Sequence, residues 1–224
     1  MHCMTETMTE ESEEFLRMID QDETVLGRVW WSDEAMFKLN GTINRHNCVY
    51  WASENPHASV EKEVNLPGVT CWAAISSSGI IGPYFFETTV NSCTYLDMLE
   101  NYFLPRVQDE ESYFQHDGAP AHYGKDVRTW LDQNFAGKWF GRRGSVEWPP
   151  RSPDLTPPDF FLWGVLKDLV YREKLRSIPE LKDIISAKMG TLDRELCQTV
   201  CRSVPARLRK CIEHEGMQFE FYRT

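Results

Sequence analysis

Apolar and β-branched residues crowd into short runs at 25–31, 48–51, 68–75 and 80–87, and runs of this length bounded by turn residues predict strands. Asn40-Gly41 and Ser76-Ser77-Ser78-Gly79 punctuate them; the second lies between two runs of similar length and predicts a hairpin with antiparallel neighbours. After residue 93 the period changes. Tyr95, Leu96, Met98, Leu99, Tyr102 and Phe103 recur at helical spacing and stop at Pro105. The run 112–116 predicts a strand, Asp117-Gly118-Ala119-Pro120 a turn, and Val127, Trp130, Leu131 and Phe135 a second helix. A basic and aromatic connection at 138–151 precedes a Pro-rich turn, and from Phe160 the chain reads as helix almost to its end, broken at Pro205. Strands first, then helix, strand, helix and a helical C-terminal tail describe an α/β fold with a mixed sheet flanked by helices.

With 224 residues, 42% of them hydrophobic, the chain has enough apolar material for one well-buried domain. The longest apolar run, 160–166, is far short of the roughly twenty residues a membrane helix needs, so no membrane span is expected. The start has neither a basic region nor an apolar stretch of the kind that marks a secretory signal, which makes an intracellular protein the expectation. Seven scattered cysteines without a CxxC pair argue against a disulfide framework and a zinc knuckle. Cys197 and Cys201, one helical turn apart, read as packing.

A net charge of −10 speaks at first against a nucleic-acid partner, since phosphates are neutralised by Lys and Arg. The charge is uneven, however. Residues 1–24 carry eight acids against Arg17, a net of −7, leaving −3 for the remainder. Within this head, 14–19 form a short amphipathic turn, read as a solvated helix or leader. Lys138, Arg142, Arg143 and Arg151 against Glu147 make a local basic stretch interleaved with Trp139, Phe140 and Trp148, a pattern suited to phosphate contact and stacking, or equally to a solvated loop beside core aromatics. Trp30, Trp31, Trp51 and Trp72 fall in strand runs and read as core.

Three acids fall at element boundaries. Asp33 follows the first strand, Asp117 ends the 112–116 run, and Asp159 opens a helix. Strand ends and helix starts are where open α/β sheets bind ligands. Carboxylates gathered there repel one another unless a cation intervenes, and hard oxygen ligands suit Mg²⁺ or Mn²⁺. Each also has a structural reading: a strand-end turn for Asp33, with Glu34 as a rival because only one of the pair can face the site; an Asp-Gly turn for Asp117; a capping box from Thr156 for Asp159, with Asp154 competing.

The segments around these acids are more specific than the acids themselves. Trp31-Ser32-Asp33-Glu34-Ala35-Met36-Phe37, Gln115-His116-Asp117-Gly118-Ala119-Pro120-Ala121-His122 and 149–159, ending Ser152-Pro153-Asp154-Leu155-Thr156-Pro157-Pro158-Asp159, resemble in order the three catalytic segments of mariner-type transposases. The resemblance implies a ribonuclease-H-like catalytic domain of the DDE/D superfamily at 25–175, behind an acidic leader at 1–24 and carrying a C-terminal helical extension at 176–224. It implies that Asp33, Asp117 and Asp159 bind two Mg²⁺ or Mn²⁺ ions and cut and rejoin double-stranded DNA, at transposon ends and target, with a homodimer in the nucleus as the working form. Asp154 then becomes a turn residue. His122, one helical turn beyond Asp117, is a candidate for positioning a phosphate or metal-bound water, or else a satisfied histidine at a helix start, and Lys138, Arg142, Arg143 and Arg151 are candidates for DNA contact. Forty-one residues separate Asp117 from Asp159, longer than in the best-known members, and the excess falls around 138–148. The family's N-terminal helix-turn-helix region has no room ahead of Glu14, as in a fragment, a truncated relic or a catalytic domain taken alone. The alternative reading is a catalytically idle relic or domesticated domain that binds DNA or assembles with other proteins.

Overall fold

The computed structural model describes residues 2–39, 67–148 and 152–217. Its five strands, β1 (Val29–Lys38), β2 (Gly68–Ser76), β3 (Gly79–Phe86), β4 (Tyr113–Gln115) and β5 (Trp139–Phe140), form one sheet in the order β3-β2-β1-β4-β5. β1 runs antiparallel to β2 and β2 to β3, whereas β1–β4 and β4–β5 are parallel. The hairpin expected at 76–79 is present, with Ser76 paired to Gly79. Among the described residues, eight α-helices surround the sheet: α1 (His2–Gln21), α2 (Thr24–Arg28), α3 (Ser92–Met98), α4 (Lys125–Asn134), α5 (Trp163–Val170), α6 (Ile178–Met189), α7 (Arg194–Arg202) and α8 (Val204–Glu213). The expected strand at 48–51, with Trp51, lies outside the described residues.

The first strand differs from its sequence pattern. Residues 24–28 form a helical turn, and β1 continues to Lys38, so Asp33 lies in mid-strand opposite Ala73 rather than beyond a strand end. The polar stretch Ser32-Asp33-Glu34 looks like a terminus, but β1 is central and its backbone is held by β2 along eight paired positions, Trp31 to Lys38. Ladder pairing carries the strand through side chains that alone would end it.

Alternation along β1 feeds separate parts of the core. Trp30 packs with Trp72, Phe103 and Phe114 beneath α3 and α4, whereas Trp31 packs with Phe15, Phe140 and Trp148. Phe37, Cys71 and Ala73 meet Leu162, Trp163 and Leu166 with α6 residues Leu181 and Ile185. Cys71, Cys197, Cys201 and Cys211 are buried and Cys93 is exposed. No helix among the described residues is long and apolar enough to cross a membrane.

The acidic head is not simply a solvated element. Glu10, Glu13 and Glu14 are exposed as their charge requires, but Phe15 on the same helix is fully buried and α1 packs along α8. The aromatic stretch after β4 departs as well. Trp139 and Phe140 form β5, and with Trp148 they are buried, so none of the three offers a face to a nucleobase.

Candidate active site

Two central strands bring the first two acids to the same end of the sheet. Trp31 on β1 pairs in parallel with Gln115 on β4, and Asp33 and Asp117 each stand two residues farther on. Asp159 arrives from the other direction, on the π-helical turn Pro158–Leu162 that leads into α5 and contacts β1 and β2. Asp33 is half-buried, while Asp117 and Asp159 open to solvent.

Each carboxylate is held by a neighbour. The Trp163 indole N–H donates to Asp33 Oδ2 at 2.7 Å. Thr156 donates its hydroxyl to Asp159 Oδ2 at 2.6 Å, while its carbonyl accepts from the Asp159 N–H. The capping residues named from sequence are thus in contact, but the threonine hydroxyl serves the carboxylate. Asp117 Oδ1 accepts from the Ala119 N–H at 2.9 Å and lies 2.6 Å from His122 Nδ1.

The acids sense one another. Asp33 is pushed well above the usual carboxylate range, first by burial, then by the charges of Asp159 and Glu34. Asp159 is pushed up to about 6, chiefly by the protein packed around its carboxyl group and then by Asp117, against the Thr156 hydrogen bond and the Lys167 charge. Burial would raise Asp117 as well, but His122 outweighs it and holds the carboxyl below its ordinary value. Burial depresses Lys167, while Asp33 and Asp159 favour its charged form.

His122 is 2% exposed, enclosed rather than open to a phosphate, so of its two sequence readings the satisfied histidine is the one its surroundings match. Its Nε2 lies 3.2 Å from Glu34 Oε1, so it bridges Glu34 and Asp117. Burial opposes its charge, but these two carboxylates overcome it and push the imidazole up to about 10, leaving a cation that donates from both nitrogens. Tyr95 packs against it with ring centroids 4.0 Å apart and a tilt of 31°, and His116 stacks on it at 5.1 Å. His116, fully enclosed, is held neutral by burial and by the adjacent charge. Gly141 must be glycine beside this stack: a Cβ there would stand 2.5 Å from the His116 ring.

Sequence alternation allowed only one of Asp33 and Glu34 to face the site. Asp33 does so directly, and Glu34 contributes from the opposite face through His122. Trp163 and Lys167 carry no motif of their own, but they stand four and eight residues after Asp159, at helical spacing that places them on its side. Asp154 shapes the loop as expected, its carbonyl accepting from Arg207 of α8 at 2.7 Å. The Arg207 guanidinium also lies 3.7 Å over the ring of Phe160, the residue after Asp159.

Of the basic candidates, Lys138 pairs with Glu111 at 2.7 Å, Arg142 and Arg143 are exposed, and Arg151 lies outside the described residues. The donor set is chemically right for a hard divalent cation, because all three acids present oxygen and their mutual repulsion favours a positive charge between them. Among the described residues, no group of three or more His, Cys, Asp or Glu side chains is drawn together closely enough to hold a metal ion. The fit is therefore in donor type and pairwise coupling.

Residues 28–182 match the model of the DDE superfamily endonucleases. The chain is 28% identical over 197 residues to the Tc3 transposable-element transposase of Caenorhabditis elegans, covering 84% of this chain and 56% of that protein. It is 24% identical over 196 residues to the Tcb1 transposase of Caenorhabditis briggsae, covering 83% and 67%. It thus spans just over half to two thirds of these relatives. Among solved structures, the catalytic domain of Mos1 mariner transposase superposes with a TM-score of 0.75 at 21% identity, over 98% of this chain and 97% of that one. The Mos1 paired-end complex with the left transposon end gives 0.78 at 21% identity, over 98% and 64%. The Mos1 catalytic domain with raltegravir and Mg gives 0.76 at 22% identity, over 98% of each. These likenesses establish a ribonuclease-H-like fold.

Proposed function

The chain belongs to the DDE superfamily endonucleases, and we propose that it is the catalytic domain of a mariner-type transposase that cuts and rejoins double-stranded DNA in the nucleus. The observation that carries this reading is that three distant segments bring Asp33, Asp117 and Asp159 to one end of the sheet, near enough for the charge of Asp159 to raise Asp33 and that of Asp117 to raise Asp159. A purely structural arrangement has no use for such repulsion. Asp33, Asp117 and Asp159 are the residues that would hold Mg²⁺ or Mn²⁺. When bound, two such ions would supply the positive charge that activates an attacking oxygen and stabilises a leaving one in phosphodiester displacement.

The chain's own groups prepare that site. His122 keeps Asp117 ionised and fixes its Oδ1, leaving Oδ2 without a hydrogen bond among the described residues. Trp163 and Thr156 each fix one oxygen of Asp33 and Asp159. Lys167 supplies positive charge beside Asp33 and Asp159. Arg142, Arg143 and Arg151 are the residues proposed to meet DNA phosphates, and a homodimer bringing two DNA ends together is the assembly this reading predicts.

Arg207 extends the site to the C-terminal helices, since its bond to Asp154 and its stacking on Phe160 brace both ends of the loop that presents Asp159. Arg207→Ala is expected to weaken Mn²⁺ binding about tenfold, within the range for residues that orient metal ligands. Calorimetric titration of both proteins checks it; equal affinities would dismiss the brace.

The idle-domain alternative draws on one observation, that the three acids are not gathered into a ready cage. A strand-joining assay decides between them. The protein is incubated with Mn²⁺, a supercoiled plasmid and labelled duplex ends, beside Asp117→Asn. Nicked and joined products from wild type alone support the transposase, nicking without joining supports a nuclease, and equal products from both proteins remove the site.

A further inference from the structure

Beside the acids, three arginines converge on one aromatic ring. The guanidinium of Arg142 lies 4.6 Å from the Tyr123 ring centroid, that of Arg128 4.7 Å and that of Arg143 5.4 Å. They come from separate places: Arg128 from α4, Arg142 and Arg143 from the turn after β5. Arg128 is further fixed by donating its Nε–H to the Tyr123 carbonyl at 3.3 Å. None of the three forms an ion pair among the described residues, although five of the other described Lys and Arg side chains do. Arg142 and Arg143 are exposed, and Arg143 sits in the left-handed region at φ 61°, a conformation that a residue with a side chain rarely adopts.

Three like charges around one ring repel one another. The electron-rich face of Tyr123 attracts each weakly, and water screens the rest. What such a cluster lacks is an anion. Guanidinium forks match the oxygens of a phosphate, and a preset aromatic support lowers the freedom lost on binding. The location narrows the anion further. The stem of Arg142 runs beside Gly118, close enough that a Cβ there would lie 3.6 Å from its own Cβ, and Gly118 directly follows Asp117. Tyr123 itself follows His122, which is bonded to Asp117.

The geometry points to a phosphate clasp in which Tyr123 gathers Arg128, Arg142 and Arg143 to grip the duplex backbone next to the phosphodiester presented to Asp117. This rests on the DNA reading above and adds Tyr123 and Arg128 to it. Tyr123 is a positioning residue: its ring holds the arginines, and its hydroxyl has no part in the clasp. The buried tryptophans of the same segment are not needed, so phosphate contact survives the loss of the stacking role that the sequence suggested.

Fluorescence anisotropy with a labelled duplex of arbitrary sequence, titrated across a range of salt without divalent metal, tests it. Each phosphate contact contributes roughly 0.9 to the slope of log affinity against log salt, so the Arg128→Gln, Arg142→Gln, Arg143→Gln triple variant should lose about 2 to 3 from the wild-type slope. Tyr123→Phe should bind as wild type and Tyr123→Leu several-fold more weakly, with unchanged near-ultraviolet circular dichroism in the triple variant confirming its fold. A triple variant that keeps the wild-type slope overturns the clasp and leaves the DNA reading standing, as does Tyr123→Phe binding as weakly as Tyr123→Leu. Wild-type protein with no salt-dependent duplex binding overturns both.

Discussion

Asp33→Asn is expected to nick DNA at least about a thousandfold more slowly than wild type and yet, at neutral pH and without metal, to unfold at a higher temperature. The first effect follows from the charge a metal ligand must bring. Asparagine keeps the size and can still accept from the Trp163 indole N–H, but it lacks the anionic oxygen that, on the proposed function, would hold a hard cation, and several kcal/mol of transition-state stabilisation corresponds to three or more decades in rate. The second effect follows from the same residue's surroundings. Burial and the neighbouring charges of Asp159 and Glu34 raise the Asp33 pKa in the folded protein. The folded state therefore binds a proton more tightly than the unfolded chain does. Stability falls as pH rises from the ordinary carboxylate value of 3.8 through the elevated folded one. Asparagine imitates the protonated acid at every pH, so the melting temperatures of the two proteins should agree near pH 3.5 and separate in favour of the variant as pH increases. Thermal melts at several pH values, paired with plasmid nicking at neutral pH, read both arms. Wild-type nicking by the variant sinks the catalytic assignment. A variant less stable than wild type at pH 7 sinks the account of repulsion at the site.

Local sequence carried the parts of this protein that depend on local rules. The hairpin at 76–79 is legible because four turn residues separate two apolar runs, and α4 because Val127, Trp130, Leu131 and Phe135 recur with a helical period. The three acids are legible through their surrounding segments, whereas their types and spacings alone left a structural reading open for each. What escaped depends on pairing and contact across distance. β1 looks finished at Ser32 until β2 lies beside it, and β5 looks like a basic connection until its backbone joins β4, with the His116 N–H bonded to the Phe140 carbonyl at 3.1 Å. For His122 the sequence leaves a phosphate-positioning and a satisfied reading open, because nothing near it in sequence reveals Glu34, 88 residues away, as its second partner. Strand alternation makes Glu34 a rival of Asp33 for one place, whereas the two make their contacts from opposite faces of the same strand, Asp33 with Trp163 and Glu34 with His122. Arg207 stands 48 positions after Asp159 and braces its loop only because α8 packs back onto the domain.

The largest error of local reading concerns α1, and it yields the largest expected effect on stability. Eight acids in the first 24 residues made a solvated element the natural reading, yet Phe15 is fully buried and meets three aromatic rings edge to face: Trp31 at 5.6 Å, Phe140 at 5.1 Å and Trp148 at 5.6 Å. Through Trp31 it touches the strand that carries Asp33, and through Phe140 the strand beside β4. Replacing Phe15 by alanine removes the ring and leaves a void that tryptophans, too large and too constrained to move, cannot fill. Such changes cost about 3–5 kcal/mol, and the edge-to-face contacts place this one toward the upper end. Against a total of about 5–15 kcal/mol for a typical domain, that is a large fraction of the stability. Urea unfolding followed by tryptophan fluorescence measures it. Surface control Glu13→Gln, on the exposed side of the same helix, should change stability by no more than about 0.5 kcal/mol. If Phe15→Ala shifts the midpoint no more than this control does, α1 is an appendage after all; if it shifts as expected, the acidic helix is a structural part of the domain that carries the three acids.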